Sequence, residues 1–233
     1  MGRRALIVSL MLITTALILT ACGDNDPAKT VDQGAELLTV TFDDAGAWEE
    51  GTFPAGDAPT ATLAIRDGRY QIDHAAAKKT SFIWGEGGAS ISADAENVII
   101  EVETEQLSAE KDNIYGVVCR LGVDARDNAT GYALLISGDG HYGIAELRSD
   151  NLSFLLEWHQ TDAIHQGQAT NTIRAICVND YLALYVNDTF LGDVTDTTYL
   201  RPGPVGLLAG VTAGEAVSMA FDNLTVYEGS LRD

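Results

Sequence analysis

The chain has 233 residues, of which 34 are aspartate or glutamate and 14 are lysine or arginine, so its formal net charge is −20. A surface of this charge repels phosphate backbones, and the composition therefore excludes nucleic acid as a class of partner. Hydrophobic residues make up 46% of the chain, which is enough for the buried core of one sizeable domain.

The first twenty-two residues have the pattern of an export signal. Two arginines precede an apolar run from Ala5 to Leu19, which is shorter than the roughly 20 residues that a spanning helix needs. The run leads into "LTAC", which resembles a bacterial lipobox and implies a diacylglyceryl group on Cys22. We expect a protein that faces outside the cytoplasm and is held on the cell membrane through this lipid anchor only. An ordinary signal peptide followed by an unmodified cysteine is the alternative.

Composition divides the chain into four parts. Residues 1–21 form the signal peptide, and residues 22–36 are polar and without an apolar period, which predicts a flexible tether. From residue 37 the composition is even, so we expect a single β-rich domain over residues 37–228. Residues 229–233 are left as a short tail.

The hydrophobic pattern after the tether has a period of two. In "NVIIEVETE", Val98, Ile100 and Val102 alternate with Glu101 and Glu103. Similar short segments, separated by Gly, Asn and Asp, are "LLTVTFD", "GRYQI", "TSFIWG", "IYGVVCRL", "GYALLIS", "HYGIAELR", "NTIRAICV", "YLALYVND", "TFLGDV", "PVGLLAG" and "MAFDNLTVY". No dozen residues show a helical period, so the sequence predicts an all-β protein of two packed sheets.

Three glycines of "GDGHYG" have the G-x-G-x-x-G spacing of a dinucleotide-binding turn. That turn requires a helix directly after the glycines, and here a short segment of β formers follows instead. We interpret Asp139 and Gly140 as a two-residue hairpin turn. In that register Tyr142 and Glu146 point away from the core. The residues on the core face would be Tyr132, Leu134, Ile136, Ala145 and Leu147.

Two cysteines lie in separate predicted strands. Cys119 and Cys177 share the parity of apolar neighbours, which favours either a disulfide or two buried thiols. Arg120 is one residue after Cys119, and Arg174 is three before Cys177, so alternation turns both arginines outward. Tyr185 joins this outward group if its strand is in the same sheet.

The order of these segments, from "GVVCR" through "YVND" to "AFDNLTVY", resembles the laminin G-like, concanavalin A-like lectin/glucanase superfamily. The chain is most similar to its bacterial exported branch, which is related to 3-keto-disaccharide hydrolase-like domains. The resemblance covers roughly residues 39–227. It implies a jelly-roll sandwich of two curved antiparallel sheets, and a sheet face that binds sugar in many relatives and hydrolyses it in some.

Carboxylates offer two kinds of chemistry. Glu101, Glu103 and Glu105 are similar to the E-x-D-x-E strand of the superfamily's retaining glucanases, although the middle residue is Glu, and an acidic solvent-facing strand is the alternative. The loop "VDARDNATG" and the two ends of the domain carry oxygen ligands that suit a structural calcium ion. These residues are Asp43, Asp44, Asp124, Asp127, Asn128 and Asp222. We expect no other cofactor and no metal centre with catalytic ligands.

From these observations we predict a binding module for carbohydrate or a cell-envelope glycan, without a catalytic residue. The predicted ligand-binding residues, which parity places on one outward face, are Arg120, Tyr142, Glu146, Arg174 and Tyr185. The same arginines on a solvated face, paired with acids, are the alternative. A glycoside-active enzyme of the same fold and a structural envelope protein that binds another protein remain the other hypotheses for function.

Overall fold

The computed structural model describes residues 31–43, 48–55, 58–87, 96–149 and 151–232. This part of the chain contains fifteen β-strands and no helix, so it has no helix that could cross a membrane. The predicted Cys22 anchor lies outside the described residues. In chain order, the strands are β1 (Val31–Val40), β2 (Gly51–Ala55), β3 (Ala58–Arg66), β4 (Arg69–His74), β5 (Ser81–Glu86), β6 (Val98–Gln106), β7 (Asn113–Val123), β8 (Ala129–Ile136), β9 (His141–Arg148), β10 (Asn151–Gln160), β11 (Thr170–Val178), β12 (Tyr181–Val186), β13 (Thr189–Thr195), β14 (Gly206–Val211) and β15 (Val217–Leu231).

The strands form two sheets in which neighbouring strands are antiparallel. The nine-stranded sheet has the order β13-β12-β11-β6-β15-β4-β3-β2, and β1 pairs with the second half of β15. The six-stranded sheet has the order β10-β9-β8-β7-β14-β5. The predicted all-β jelly-roll sandwich is therefore confirmed.

The period of two in the sequence places the core between the sheets. On β6, Val98, Ile100 and Val102 are buried in this core, and Ile99, Glu101 and Glu103 lie on the opposite face of the sheet. Tyr132 and Leu134 of β8 enter the same core from the six-stranded sheet, as predicted. Alternation along these strands is the physical reason that the fold could be read from the sequence.

A disulfide connects the two sheets. Cys119 of β7 and Cys177 of β11 are joined through their sulfur atoms, and their Cα atoms are 6.8 Å apart. Because β7 belongs to the six-stranded sheet and β11 to the nine-stranded sheet, the bond runs through the core.

The hairpin between β8 and β9 differs from the predicted one by one residue. Ser137 pairs with His141, and Ile136 lies opposite Tyr142, so three residues form the loop. Gly140 alone takes the positive φ, at 90°, which is the arrangement of a three-residue turn ending in a left-handed glycine. The shift by one residue turns the side chains of β9 to the opposite face, while those of β8 stay as predicted.

Both predicted domain boundaries fall inside paired strands. β1 begins at Val31, within the predicted tether, and β15 continues to Leu231, within the predicted tail. Val31 pairs with Leu231, so the backbones of these two segments hydrogen-bond to each other. Backbone pairing of this kind needs no apolar pattern, and the polar sequence at residues 31–36 gave no sign of it.

Candidate functional site: a pocket around Tyr199

The five predicted ligand-binding residues do not share one surface. Arg120 lies in the six-stranded sheet and Arg174 in the nine-stranded sheet, so the common outward face predicted from parity is wrong. Alternation fails at Arg120 because a β-bulge lies between Cys119 and Gly122, where Arg120 takes a φ of 54°. The arginine side chain is consequently 1% exposed instead of facing solvent.

The other predicted residues divide between two places. Tyr142 is turned toward the core by the corrected hairpin register, and its hydroxyl donates to the Leu191 carbonyl at 2.7 Å. Arg174 and Tyr185 are register partners on the outer face of the nine-stranded sheet. Arg174 forms an ion pair with Glu101 there, whereas Tyr185 is buried in an apolar cluster. Tyr142 therefore faces the core, whereas Arg174 and Tyr185 lie on the outer face of the nine-stranded sheet.

Arg120 and Glu146 do come together, because both hold Tyr199, a residue in the loop between β13 and β14. Arg120 Nη1 donates to the Tyr199 carbonyl at 2.8 Å, and the Tyr199 hydroxyl donates to Glu146 Oε1 at 3.0 Å. The Tyr199 amide also donates to the Tyr132 hydroxyl at 2.9 Å, and the two rings meet edge to face at 5.4 Å. Four contacts therefore fix the backbone and the ring of Tyr199.

Tyr199 lines a cavity of about 600 Å³ at one end of the six-stranded sheet, which we call the Tyr199 pocket. Its lining residues are Val123, Asp124, Ala125, Thr130, Arg148, Ser149, Thr198, Tyr199, Leu200 and Arg201. Val123 and Leu200 are 57% and 43% exposed, and they are two of the four large hydrophobic side chains that are exposed in the described part of the chain. The volume is in the range of sites that hold small ligands.

The polar side chains that line the Tyr199 pocket carry hydrogen-bond donors, apart from the carboxylate of Asp124. Arg201 Nη2 donates to Thr130 Oγ1 at 3.2 Å, and in the described part of the chain neither Arg201 nor Arg148 forms an ion pair. Burial and the neighbouring Glu146 raise the pKa of Tyr199 to about 12, although both arginines lower it. The Tyr199 hydroxyl therefore stays protonated at neutral pH and keeps its hydrogen bond to Glu146.

The carboxylate of Asp124 accepts hydrogen bonds from its own loop and from Ser149. It accepts from the side-chain amide of Asn128 at 3.0 Å, from the Arg126 amide at 2.7 Å and from the Ser149 hydroxyl at 3.2 Å. These donors, with Asn128 first, lower the pKa of Asp124 to about 2. Among the described residues, no group of three histidine, cysteine, aspartate or glutamate side chains is placed to hold a metal ion.

The remaining residues of the calcium hypothesis are Asp43, Asp44 and Asp222. Asp43 lies beside Gly68, and Asp222 is opposite Glu103 in the pairing of β15 with β6. Asp44 lies outside the described residues.

The glutamates of "EVETE" share the outer face of the nine-stranded sheet, as their alternation predicts, and each has a partner on that face. Glu101 pairs with Arg174, and Glu105 pairs with Arg69. Glu103 Oε2 accepts from the amide of Asn223 at 3.1 Å. These contacts make a row of hydrogen-bonded carboxylates along β6, of which Glu101 and Glu105 are ion-paired.

Sequence reasoning missed the residues that form the Tyr199 pocket. The segment "TTYLRPG" contains Tyr199, Leu200 and Arg201 between two strands, where a loop rather than a core is expected. An aromatic, an aliphatic and a basic side chain in succession within a loop is the signal that could have identified it, since binding residues are concentrated on loops.

No family model and no curated protein sequence matches the chain. Solved structures with similar folds include the carbohydrate-binding module CBM66 from Bacillus subtilis, with 15% identity, a TM-score of 0.57, and coverage of 79% of this chain and 98% of that chain. A Bacillus subtilis protein of unknown function with a galectin-like fold has 10% identity and a TM-score of 0.62, over 87% of this chain and 100% of that chain. The endo-β-1,3-glucanase from Pyrococcus furiosus has 12% identity and a TM-score of 0.59, over 87% and 99%. These likenesses confirm the suspected resemblance at the level of fold: the chain has the concanavalin A-like jelly roll.

Proposed function

We propose that the protein is a carbohydrate-binding module and that its sugar site is the Tyr199 pocket. The observation that carries this proposal is the immobilised Tyr199 ring, which lies beside exposed Leu200 and the open donors of Arg148 and Arg201. A sugar ring presents apolar C–H faces and a rim of hydroxyl groups, so it requires this mixture of surfaces. The fold likeness to CBM66, whose name states that it binds carbohydrate, supports the same conclusion.

Preorganisation of the site favours binding. Tyr199 is held at its amide, its carbonyl, its ring and its hydroxyl before any ligand arrives. A ligand that contacts this ring therefore does not bear the cost of ordering it, which is about 0.5–1.5 kcal/mol for a mobile side chain.

The test compares two exposed leucines in a glycan-binding screen. Leu200→Ser removes the apolar rim of the Tyr199 pocket, whereas Leu37→Ser changes a leucine of similar exposure, 48%, on β1. We expect the wild-type domain and Leu37→Ser to bind the same glycans, and Leu200→Ser to bind them at least several-fold more weakly. Equal binding by all three proteins, or no glycan binding by the wild type, would remove the basis of the proposal.

The second candidate function is glycoside hydrolysis by the row of glutamates on β6. The observation in its favour is that Glu101, Glu103 and Glu105 share one face, with alternate residues roughly 6.5–7 Å apart. We expect no hydrolysis, because each carboxylate is engaged by a neighbouring arginine or asparagine. Reducing sugar released from polysaccharides by the wild type but not by Glu101→Gln would establish the enzyme instead.

We further propose that the module is attached to the membrane by a lipid on Cys22. The support is the sequence "LTAC" at the end of the signal segment. Mass spectrometry of the native N-terminal peptide should give the mass of a diacylglyceryl cysteine, and Cys22→Ser should move the protein from the membrane fraction to the soluble fraction. An unmodified peptide that begins at another residue would contradict the anchor.

A further inference from the structure

The charge of the Tyr199 pocket is opposite to that of the chain. The lining contains Arg148 and Arg201 against a single acid, Asp124, whereas the whole chain contains 34 acidic and 14 basic residues. We propose that the sugar bound in this pocket is acidic, with a carboxylate or sulfate group that the two arginines hold. This inference rests on the proposed carbohydrate-binding function and specifies the chemical class of the sugar.

The acidic residues near the Tyr199 pocket are hydrogen-bonded to groups other than its two arginines. The oxygens of Asp124 accept three donors from its own loop and the Ser149 hydroxyl, so the loop uses the carboxylate as its internal support. Glu146 is 8% exposed and accepts from the Tyr199 hydroxyl. Neither carboxylate makes an ion pair with Arg148 or Arg201 in the described part of the chain.

Half of the eight arginines in the described part of the chain are ion-paired. Arg66, Arg69, Arg174 and Arg232 each form an ion pair with a carboxylate. Arg120, which is buried, and the exposed Arg126, Arg148 and Arg201 form none in the described part of the chain. Two of them in the lining of one cavity indicate a site in which an external anion completes the charge balance.

Both arginines line the Tyr199 pocket, and each favours the ionised form of the Tyr199 hydroxyl. Arg201 is oriented by its bonds to Thr130 Oγ1 at 3.2 Å and the Val123 carbonyl at 3.4 Å, and its other nitrogens have no partner in the described part of the chain. A guanidinium held through one nitrogen keeps the N–H groups of its other two nitrogens for an anion.

The net charge of −20 does not prevent an anion from entering. Charges more than about 8–10 Å away are largely screened at physiological ionic strength, whereas direct guanidinium–carboxylate contacts are not. The distant acids therefore slow the approach of an acidic glycan more than they weaken the bound state.

The experiment compares matched oligosaccharides by isothermal titration calorimetry. The probes are a galacturonic acid oligomer, its fully methyl-esterified form, a sulfated galactan oligomer, and neutral laminarin and levan oligomers. Methyl esterification removes the charge but keeps the sugar backbone. We expect one of the two acidic oligomers to bind at least tenfold more tightly than every uncharged probe, because charge-assisted hydrogen bonds are the stronger ones. Which of the two binds distinguishes a carboxylate from a sulfate ligand.

Arginine variants test whether the preference for the acidic oligomer comes from the Tyr199 pocket. Arg148→Gln and Arg201→Gln should each weaken binding of the acidic oligomer by about tenfold or more, and leave the melting temperature unchanged. Arg232→Gln is the control, since Arg232 is an exposed arginine at the end of β15 that pairs with Asp32. It should bind like the wild type.

The possible results separate the two proposals. Preference for a neutral oligomer, with loss of binding in Leu200→Ser, would overturn the acidic sugar and keep the carbohydrate site. Acidic binding that Arg148→Gln and Arg201→Gln leave unchanged would also overturn the inference. Absence of binding to all five probes would overturn the acidic-sugar inference. If the glycan screen is negative as well, the proposed function is overturned with it.

Discussion

Removal of the disulfide between Cys119 and Cys177 should destabilise the domain without changing its fold. The bond closes a loop with a sequence separation of 58 residues. In the chain-entropy description, a loop of this length restricts the unfolded state by about 4 kcal/mol at 25 °C. For a domain of roughly 200 residues this corresponds to a fall in melting temperature of about 8–16 °C.

The assay uses the Cys22→Ser protein, in which the pair contains the only remaining cysteines. Thermal unfolding by calorimetry is compared for this protein, for Cys119→Ala, for Cys177→Ala and for the double variant. Each single change already breaks the bond, so the two single variants and the double variant should have similar melting temperatures. A near-ultraviolet circular dichroism spectrum like that of the parent would show that the core is retained.

Two results would refute this reasoning. Free thiols in the unfolded, unreduced Cys22→Ser protein would show that the bond between Cys119 and Cys177 does not form. A melting temperature within about 2 °C of the parent in the double variant would show that the loop constraint contributes little, since at most about 1 kcal/mol would then be lost.

Acid should destabilise the domain through two groups. His74 is buried, and burial lowers its pKa against the opposing hydrogen bond to the Ala75 carbonyl, while its other ring nitrogen accepts from Ser81 at 3.1 Å. The stability that His74 contributes to the folded state is therefore complete above pH 6.5 and declines below it. The variant His74→Gln should lack this part of the pH dependence of the melting temperature. The pKa of Asp124 is lowered to about 2, chiefly by Asn128, so its contribution is complete above pH 3.8 and is lost as the pH falls toward 2. Asp124→Asn should not show that loss, and a decline of equal size in either variant and the wild type would contradict the assignment.

The fold could be predicted because the strands with alternating residues are the ones that build the core. β6 and β8 show this directly, since every second residue of each is buried between the sheets. Of the three strands that were not predicted, β10 carries alternating Leu152, Phe154 and Leu156, whereas β2 contains Gly and Pro and β3 consists mainly of Ala and Thr. Pairing with neighbours, rather than local propensity, determines such strands.

The site could not be predicted from the alternation of side chains, because it lies where that alternation is interrupted. Parity propagates along a strand only while the backbone stays regular. A bulge turns Arg120 inward, and a third loop residue turns β9 over. The residues that line the Tyr199 pocket come mainly from loops and strand ends, and no periodicity in the sequence relates them.

The bulge at Arg120 is part of the proposed site, because it brings the arginine to Tyr199. Burying a guanidinium without a carboxylate partner is costly, and a positive φ adds of order 1 kcal/mol or more for a residue other than glycine. Its Nη2 has no hydrogen-bond partner in the described part of the chain, and the cation lies 6.0 Å from the centre of the Tyr132 ring. An apolar residue at this position would avoid the buried charge and the unpaired Nη2, but it could not donate to the Tyr199 carbonyl. Unfavourable local features are retained in proteins mainly where function requires them, and here they hold the ring around which the proposed sugar site is built.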